Sequence, residues 1–177
     1  MLCWYMSICS TSAQALESPT DGKAIVYLTR MYSIGLTTKF KIFHNDRFIG
    51  KLGTTQFFRI ECEPGEHLFW AKSENYAFTQ ATLEEGGIYV LDAVPTLGGL
   101  KVQVDLKPIA PEDVTKEIDR RIANLLNNRE PIQLTEAELE EMNDRYSKQI
   151  TTGLRKFDRR LKARFGYMIM DANSRFN

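Results

Sequence analysis

Apolar and polar residues alternate along the chain from Lys23 to Ile109, between closely spaced turns. A period of two places the apolar side chains on one face of a β-strand. The segments with this pattern are 24–29, 39–43, 47–52, 57–62, 68–72, 76–83, 88–94 and 100–106. Short strands at this spacing predict an antiparallel β-sandwich.

Turn residues separate these segments and indicate how the strands connect. Asn45 and Asp46 tolerate positive φ and predict a tight hairpin between 39–43 and 47–52. Pro64 and Gly65 suit the two central positions of a type II turn. Gly86 falls in another turn, after an acidic pair. We therefore expect Pro64, Gly65 and Gly86 to have structural roles.

After Pro108 the apolar period lengthens to between three and four, which is typical of helices. A first helix is predicted to open at Pro111 and to end at Asn127-Asn128. Thr135 and Glu138 form a capping box for a second helix of about 30 residues. Gly153 marks a point where a kink or break would cost little. The predicted fold class is mainly β with C-terminal α, an antiparallel β-sandwich followed by two helices, the second long.

The first fifteen residues carry no charge, begin apolar and end in Ala13-Gln14-Ala15, a small-x-small pattern that a signal peptidase accepts. This favours export to the periplasm or cell envelope, although no Lys or Arg precedes the apolar run. The alternative is an apolar strand in a cytoplasmic protein. The predicted division is a signal segment and linker at 1–22, a β-sandwich domain at 23–109 and a helical extension at 110–177. No apolar run reaches the roughly 20 residues of a transmembrane segment.

Charge is balanced, with 23 basic and 23 acidic residues, so no overall field attracts nucleic acid, and none is expected as a partner. Charge is nevertheless sorted along the second helix, acidic early and basic late. Arg155, Arg159, Arg160 and Lys162 form a possible partner surface in the basic half. The alternative is a solvated helix face that follows the helix dipole.

Candidate chemistry is sparse. His44 and His67 are the two histidines of the chain, and they lack the additional ligands with local spacing that a zinc site needs, so no metal and no cofactor is expected. Cys62 lies in an apolar strand pattern and is interpreted as a buried small side chain. Glu63 and Glu66 flank the Pro-Gly turn, where acidic residues are common for solvation alone. No catalytic residue is predicted.

Three short motifs occur in order within the β-rich part: Val26-Tyr27-Leu28-Thr29-Arg30, Pro64-Gly65-Glu66-His67 and Gly86-Gly87-Ile88-Tyr89. With them, Lys23 to Ile109 resembles a bacterial β-sandwich domain of unknown function, akin to PEGA-type surface modules of exported proteins and lipoproteins. The resemblance covers about half the chain. It implies a cell-envelope location and a non-catalytic interaction role, with no catalytic residues to carry over.

We therefore expect an exported binding or structural module. A helix of about 45 Å would overhang a small sandwich, so its apolar positions favour protein contact, most simply self-association. Peripheral membrane contact is a further possibility. Two other classes stay open: an envelope hydrolase that uses carboxylates near the Pro-Gly turn, and a cytosolic adaptor whose basic helix contacts nucleic acid or lipid.

Overall fold

A computed structural model describes residues 16–33, 37–98 and 101–177. These residues form two β-sheets and two α-helices, which confirms the predicted fold class. The strands are β1 (Ala24–Arg30), β2 (Phe40–His44), β3 (Arg47–Leu52), β4 (Gln56–Cys62), β5 (Gly65–Lys72), β6 (Tyr76–Leu83), β7 (Ile88–Gly98), β8 (Lys101–Ile109) and β9 (Met168–Met170). The helices are α1 (Lys116–Asn128) and α2 (Glu136–Ala163).

The strands divide into sheet A, in the order β4-β1-β7-β8, and sheet B, in the order β3-β2-β5-β6-β9. Neighbouring strands are antiparallel except for the pairs β1–β7 and β6–β9. The predicted hairpin is present as β2 and β3, with Asn45 at φ 52° in its turn. The Pro-Gly turn joins strands of different sheets, because β4 belongs to sheet A and β5 to sheet B. Gly65 there has a φ of 127°, and Gly86 in its own turn has a φ of 71°.

The two sheets and the two helices stack in four layers. Alternate side chains of β1 point to opposite faces, so Val26 and Leu28 enter the core between the sheets while Ile25 and Tyr27 lie beneath α1. On the other side, Phe43 and Trp70 of sheet B pack against α2. Each helix thus covers the outer face of one sheet, which explains why β1 is buried along its whole length.

Helix α1 begins later than the sequence predicted. Pro111–Asp113 forms a short 3₁₀ turn, Val114 is extended, and the α-helix starts only after Thr115. The Thr115 hydroxyl accepts a hydrogen bond from the Ile118 N–H at 3.3 Å and so caps the helix. Its buried side, which includes Ile122, packs on sheet A.

Helix α2 is continuous through Gly153. It starts at the predicted capping box, in which the Thr135 N–H donates to the Glu138 carboxylate at 2.8 Å. Gly153 faces the indole of Trp70, and a Cβ at this position would lie 2.5 Å from Trp70 Cη2. The glycine therefore lets the helix approach the sheet closely; it does not break the helix.

Both ends of the described chain dock on the sandwich. The segment after α2 adds β9 to sheet B, and the Asn177 side chain accepts a hydrogen bond from the Ile88 N–H at 2.9 Å. Leu16 is buried against sheet A, and the Glu17 N–H donates to the Tyr27 hydroxyl at 3.0 Å, so these residues of the predicted linker are packed. The predicted signal segment, residues 1–15, lies outside the described residues. Among the helices that the structure describes, none combines the length and apolarity needed to span a bilayer.

Candidate functional site

An exposed apolar surface lies where α2 ends and β9 begins. Four of the five large apolar residues that are exposed in the described chain are here, and we call them the C-terminal patch: Leu161 (40% exposed), Phe165 (71%), Met168 (46%) and Ile169 (62%). The fifth, Leu97, lies at the end of β7. A cluster of this kind on a folded protein indicates a contact surface.

Local geometry at the end of α2 presents the patch. Arg164 takes the left-handed conformation with φ 53°, and the Phe165 N–H donates to Arg160 O at 3.2 Å, which ends the helix. Gly166, with φ 78°, then turns the chain into β9. Phe165 and Met168 line one shallow cleft of about 500 Å³.

The patch continues the apolar stripe of α2 beyond its contact with the sheet. Ile150 and Phe157 of this stripe are buried on sheet B, and Phe157 lies 5.5 Å from Phe78, measured between ring centroids. Leu161, one turn after Phe157, is partly uncovered. The apolar stripe of α2, which was expected to extend beyond the sandwich, is thus mostly buried on sheet B. Only its C-terminal end is exposed.

β9 is an edge strand. It pairs with β6 through Thr79 opposite Met168 and Ala81 opposite Met170, and no other strand in the described part of the chain pairs with it. Met170 is buried, whereas Met168 and Ile169 are exposed. An apolar edge strand with unpaired backbone groups can accept a further strand.

The predicted partner residues border the patch but do not all face solvent. Arg155, Arg159 and Lys162 are exposed. Arg160 is half-buried: its guanidinium donates to Gly166 O at 2.6 Å and lies 4.8 Å from the Phe78 ring centroid. Burial lowers the pKa of Arg160. Arg160 therefore holds the turn after α2, while the other three form a basic rim.

The basic character extends from this rim toward the other end of the sheet. A cleft of about 520 Å³ has one carboxylate in its lining, Glu74, which pairs with Lys101 at 3.2 Å. The lysines in its lining are Lys39, Lys41, Lys72 and Lys148. Burial, and then the nearby Lys41, lower the pKa of Lys72 against the opposing effect of Glu74. The basic half of α2 and this lysine-lined cleft are thus the predominantly positive parts of the α2 side.

The carboxylates of the hydrolase alternative are engaged in surface contacts. Glu63 forms an ion pair with Lys23. Glu66 accepts hydrogen bonds from the Gln80 amide at 3.0 Å and the Thr82 hydroxyl at 3.2 Å. This arrangement is that of solvated turn and strand residues.

A buried carboxyl group, which the sequence analysis missed, lies beneath α1. Asp92 is 1% exposed, and its Oδ1 accepts hydrogen bonds from the Thr29 hydroxyl at 2.8 Å and the Met31 N–H at 3.2 Å. Its Oδ2 has no hydrogen-bond partner among the described residues. Burial raises the pKa of Asp92 to about 6. The signal in the sequence was an acidic residue in the otherwise apolar segment 88–94.

The two histidines, which are 23 residues apart in the sequence, are in contact. His44 Nε2 and His67 Nδ1 lie 2.9 Å apart, and His67 Nε2 lies 2.7 Å from Glu63 O. Cys62 joins them, and the potential ligand atoms of the three residues all lie within 4.8 Å of one another. Burial lowers the pKa of His44 to about 4 and raises that of the Cys62 thiol to about 12. A possible signal was the spacing of Cys62 and His67 across the Pro-Gly turn.

Comparison with known proteins adds no relative. No family model, no curated protein and no solved structure matches this chain.

Proposed function

We propose that this protein is a non-catalytic binding module that holds a protein partner against the C-terminal patch. One observation carries the proposal: β9 has an open edge that exposes Met168 and Ile169, and Met168 shares a cleft with the exposed Phe165. An edge strand offers main-chain hydrogen bonds to an added strand, and apolar side chains next to it supply buried area. Together these groups favour a polypeptide over a lipid headgroup.

The charge around the patch indicates an acidic partner. Between residues 155 and 164 there are six basic residues and one acidic residue, Asp158. A symmetric dimer through the patch would place the same basic rim of two copies face to face. Like charges in contact are unfavourable, so a different, acidic protein fits this surface better than a second copy.

Nucleic acid fits less well than an acidic protein. The ring of Phe157, in the basic half of α2, is buried against Phe78 and Tyr167. It is therefore not free to stack on bases, which is the usual aromatic contribution to single-strand binding. Among the described residues, Phe165 is the exposed aromatic residue beside the rim.

Replacing Ile169 by lysine is expected to abolish the partner contact and leave the fold intact, because Ile169 is 62% exposed. The added charge would face an acidic partner but remove the apolar contact at the strand edge. Crosslinking in native cells, followed by purification, should recover the partner at least tenfold less with I169K than with the unaltered protein. A tenfold change corresponds to about 1.4 kcal/mol.

Leu97→Lys supplies the matched control, because Leu97 is 73% exposed, slightly more than Ile169, and lies outside the patch. This variant should retain the partner in full. Equal recovery with I169K and L97K would contradict the proposal. Sedimentation velocity tests the alternative, in which a second copy of the chain occupies the patch. A concentration-dependent dimer that I169K dissociates would assign the patch to self-association.

Export to the cell envelope belongs to the same hypothesis and is supported by the uncharged, apolar segment before Leu16 and its small-x-small ending. We expect protein recovered from fractionated native cells to begin at Leu16 and to lie in the periplasm. Intact-mass measurement with N-terminal sequencing tests this. A chain that begins at Met1 in the cytosol would favour an adaptor role.

A further inference from the structure

We propose that His44, Cys62 and His67 bind a zinc ion at one end of the sandwich. Thiolate sulfur and imidazole nitrogen are the ligand types that zinc prefers in proteins, while magnesium and calcium prefer oxygen. Three such ligand atoms lie within 4.8 Å of one another. Two come from sheet B and one from sheet A, so a bound ion would link the two sheets.

The fold brings the three residues together because each ends a row of inward-facing side chains. His44 follows Phe40 and Ile42 on β2, since every second residue of a strand shares a face. Cys62 continues the inward row of β4 in the same way. His67 precedes the buried Phe69 and Ala71 on β5. All three rows end at the same side of the core, next to the crossing from β4 to β5.

The spacing of the ligand atoms fits a tetrahedral zinc ion after small adjustments. Zinc–nitrogen bonds of about 2.0–2.1 Å and zinc–sulfur bonds of about 2.3 Å place neighbouring ligand atoms roughly 3.3–3.6 Å apart. The two imidazole nitrogens are slightly closer than this, at 2.9 Å. The sulfur is within 4.8 Å of both. Side-chain shifts of about 1 Å or less would therefore complete the geometry.

Contacts behind the histidines orient them as zinc ligands are oriented. The His67 Nε2–H donates to Glu63 O at 2.7 Å, so the lone pair of Nδ1 points into the cluster. A backbone carbonyl in this position is a common outer partner of metal-bound histidine. The His44 ring is stacked on Phe69, with centroids 4.6 Å apart and planes at 4°. The stacking fixes the plane of the His44 ring and so the direction in which its Nε2 faces His67 Nδ1.

Zinc binding requires one histidine to change its tautomer and the thiol to lose its proton. Because the His67 Nε2–H donates to Glu63 O, His67 Nδ1 is an acceptor, and in the zinc-free protein the His44 Nε2–H donates to it. For both nitrogens to bind zinc, His44 must carry its proton on Nδ1 instead, which exchange with water permits without net change. The Cys62 thiol must lose its proton to become a thiolate. One proton is thus released for each zinc bound.

Access to the cluster is open on the histidine side. His44 and His67 are half-buried and reach solvent, whereas Cys62 lies at the base with 4% exposure. Three protein ligands leave a fourth position for a water molecule on the solvent side. The arrangement suits a site that takes up zinc from solution after folding.

Cobalt titration tests the site directly. The full chain, without a polyhistidine tag and carrying Cys3→Ser and Cys9→Ser, retains Cys62 as its one thiol. After chelator treatment, one equivalent of Co²⁺ is expected to give a thiolate-to-cobalt charge-transfer band, and one equivalent of Zn²⁺ to abolish it. Zinc addition in weakly buffered solution should release about one proton per chain. Absence of the band and of tight zinc binding would overturn the proposal.

Substitutions separate ligands from neighbours. Cys62→Ser is expected to remove the charge-transfer band, and His67→Gln to weaken zinc binding at least a hundredfold. Glu85→Gln, an exposed change in the turn between β6 and β7 and outside the cluster, should bind zinc as the parent does. Should Cys62→Ser fail to fold, thermal unfolding of His67→Gln decides: zinc raises the Tm of the parent and of Glu85→Gln, but not that of His67→Gln. A zinc-dependent Tm rise of equal size in all three would contradict the site.

Discussion

Replacing Gly153 by alanine is expected to destabilise the protein by about 1 kcal/mol, although alanine is the better helix former. Helix propensity alone predicts a gain of roughly 1 kcal/mol. The new Cβ, however, would lie 2.5 Å from Trp70 Cη2 and 2.6 Å from Cζ3. Overpacking of this kind typically costs about 1–3 kcal/mol. Urea unfolding of both proteins measures the difference.

Trp70 cannot move aside to admit the methyl group. It is fully buried, its ring is stacked on Phe43 with centroids 3.7 Å apart, and its Nε1–H donates to Asn45 O at 2.9 Å. Helix α2 must therefore shift outward, which loosens the contacts of Phe157 on the sheet. The close approach to Trp70 predicts that Gly153→Ala lowers the unfolding free energy, whereas helix propensity predicts that it raises it. The sign of the measured change therefore decides between them.

A double-mutant cycle identifies the cause. Trp70→Phe removes part of the indole that the methyl group would meet, so Gly153→Ala should cost clearly less in that background. Thr151→Ala, in the same turn of α2 but exposed, should change stability by no more than about 0.5 kcal/mol. A Gly153→Ala protein as stable as the parent would show that α2 is not held against Trp70.

Replacing Asp92 by asparagine is expected to change how stability depends on pH. The pKa of Asp92 in the folded protein is about 6, against an ordinary value of 3.8, so the folded state holds this proton more tightly than the unfolded state. Rising pH above about 4 therefore favours unfolding, and the effect is complete above about 6. The shift corresponds to roughly 3 kcal/mol of lost stability at neutral pH.

We expect this effect to be concealed in the parent protein, because His44 opposes it. Burial lowers the pKa of His44 from 6.5 to about 4, so the unfolded state binds its proton more tightly, and rising pH favours the folded state over nearly the same range. We expect a shallow pH dependence for the parent. The D92N protein, which keeps the acceptor for Thr29 and Met31, should become markedly more stable from pH 4 to pH 7.

Urea unfolding of both proteins at several pH values from 4 to 7 measures the difference directly. The unfolding free energy of the parent should fall relative to that of D92N by about 3 kcal/mol across this range. Asp158→Asn, an exposed change on α2, should follow the parent curve. Parallel curves for the parent and D92N would contradict the prediction, because they would show that folding does not raise the pKa of Asp92.

The sequence revealed the basic rim on α2 but not the contact between the two histidines. The basic rim was readable because Arg155, Arg159 and Lys162 belong to one local charge run. The contact between His44 and His67 could not be read from the sequence, because it depends on the pairing of strands β2 and β5, which are separated by other strands in the chain. The sequence prediction of no metal site considered local spacing only, and the contact of these residues arises from strand pairing.

Strands β1 to β8, the hairpin at Asn45 and the start of α2 at Thr135 were determined by the sequence itself. Each depends on neighbours within a few residues: side-chain alternation, turn geometry and a capping box. The tertiary structure alone decided which strands share a sheet, that both helices cover the outer faces, and that Gly153 meets Trp70. These features depend on which distant apolar faces are buried together, and a one-dimensional pattern shows that a face is apolar without showing what covers it.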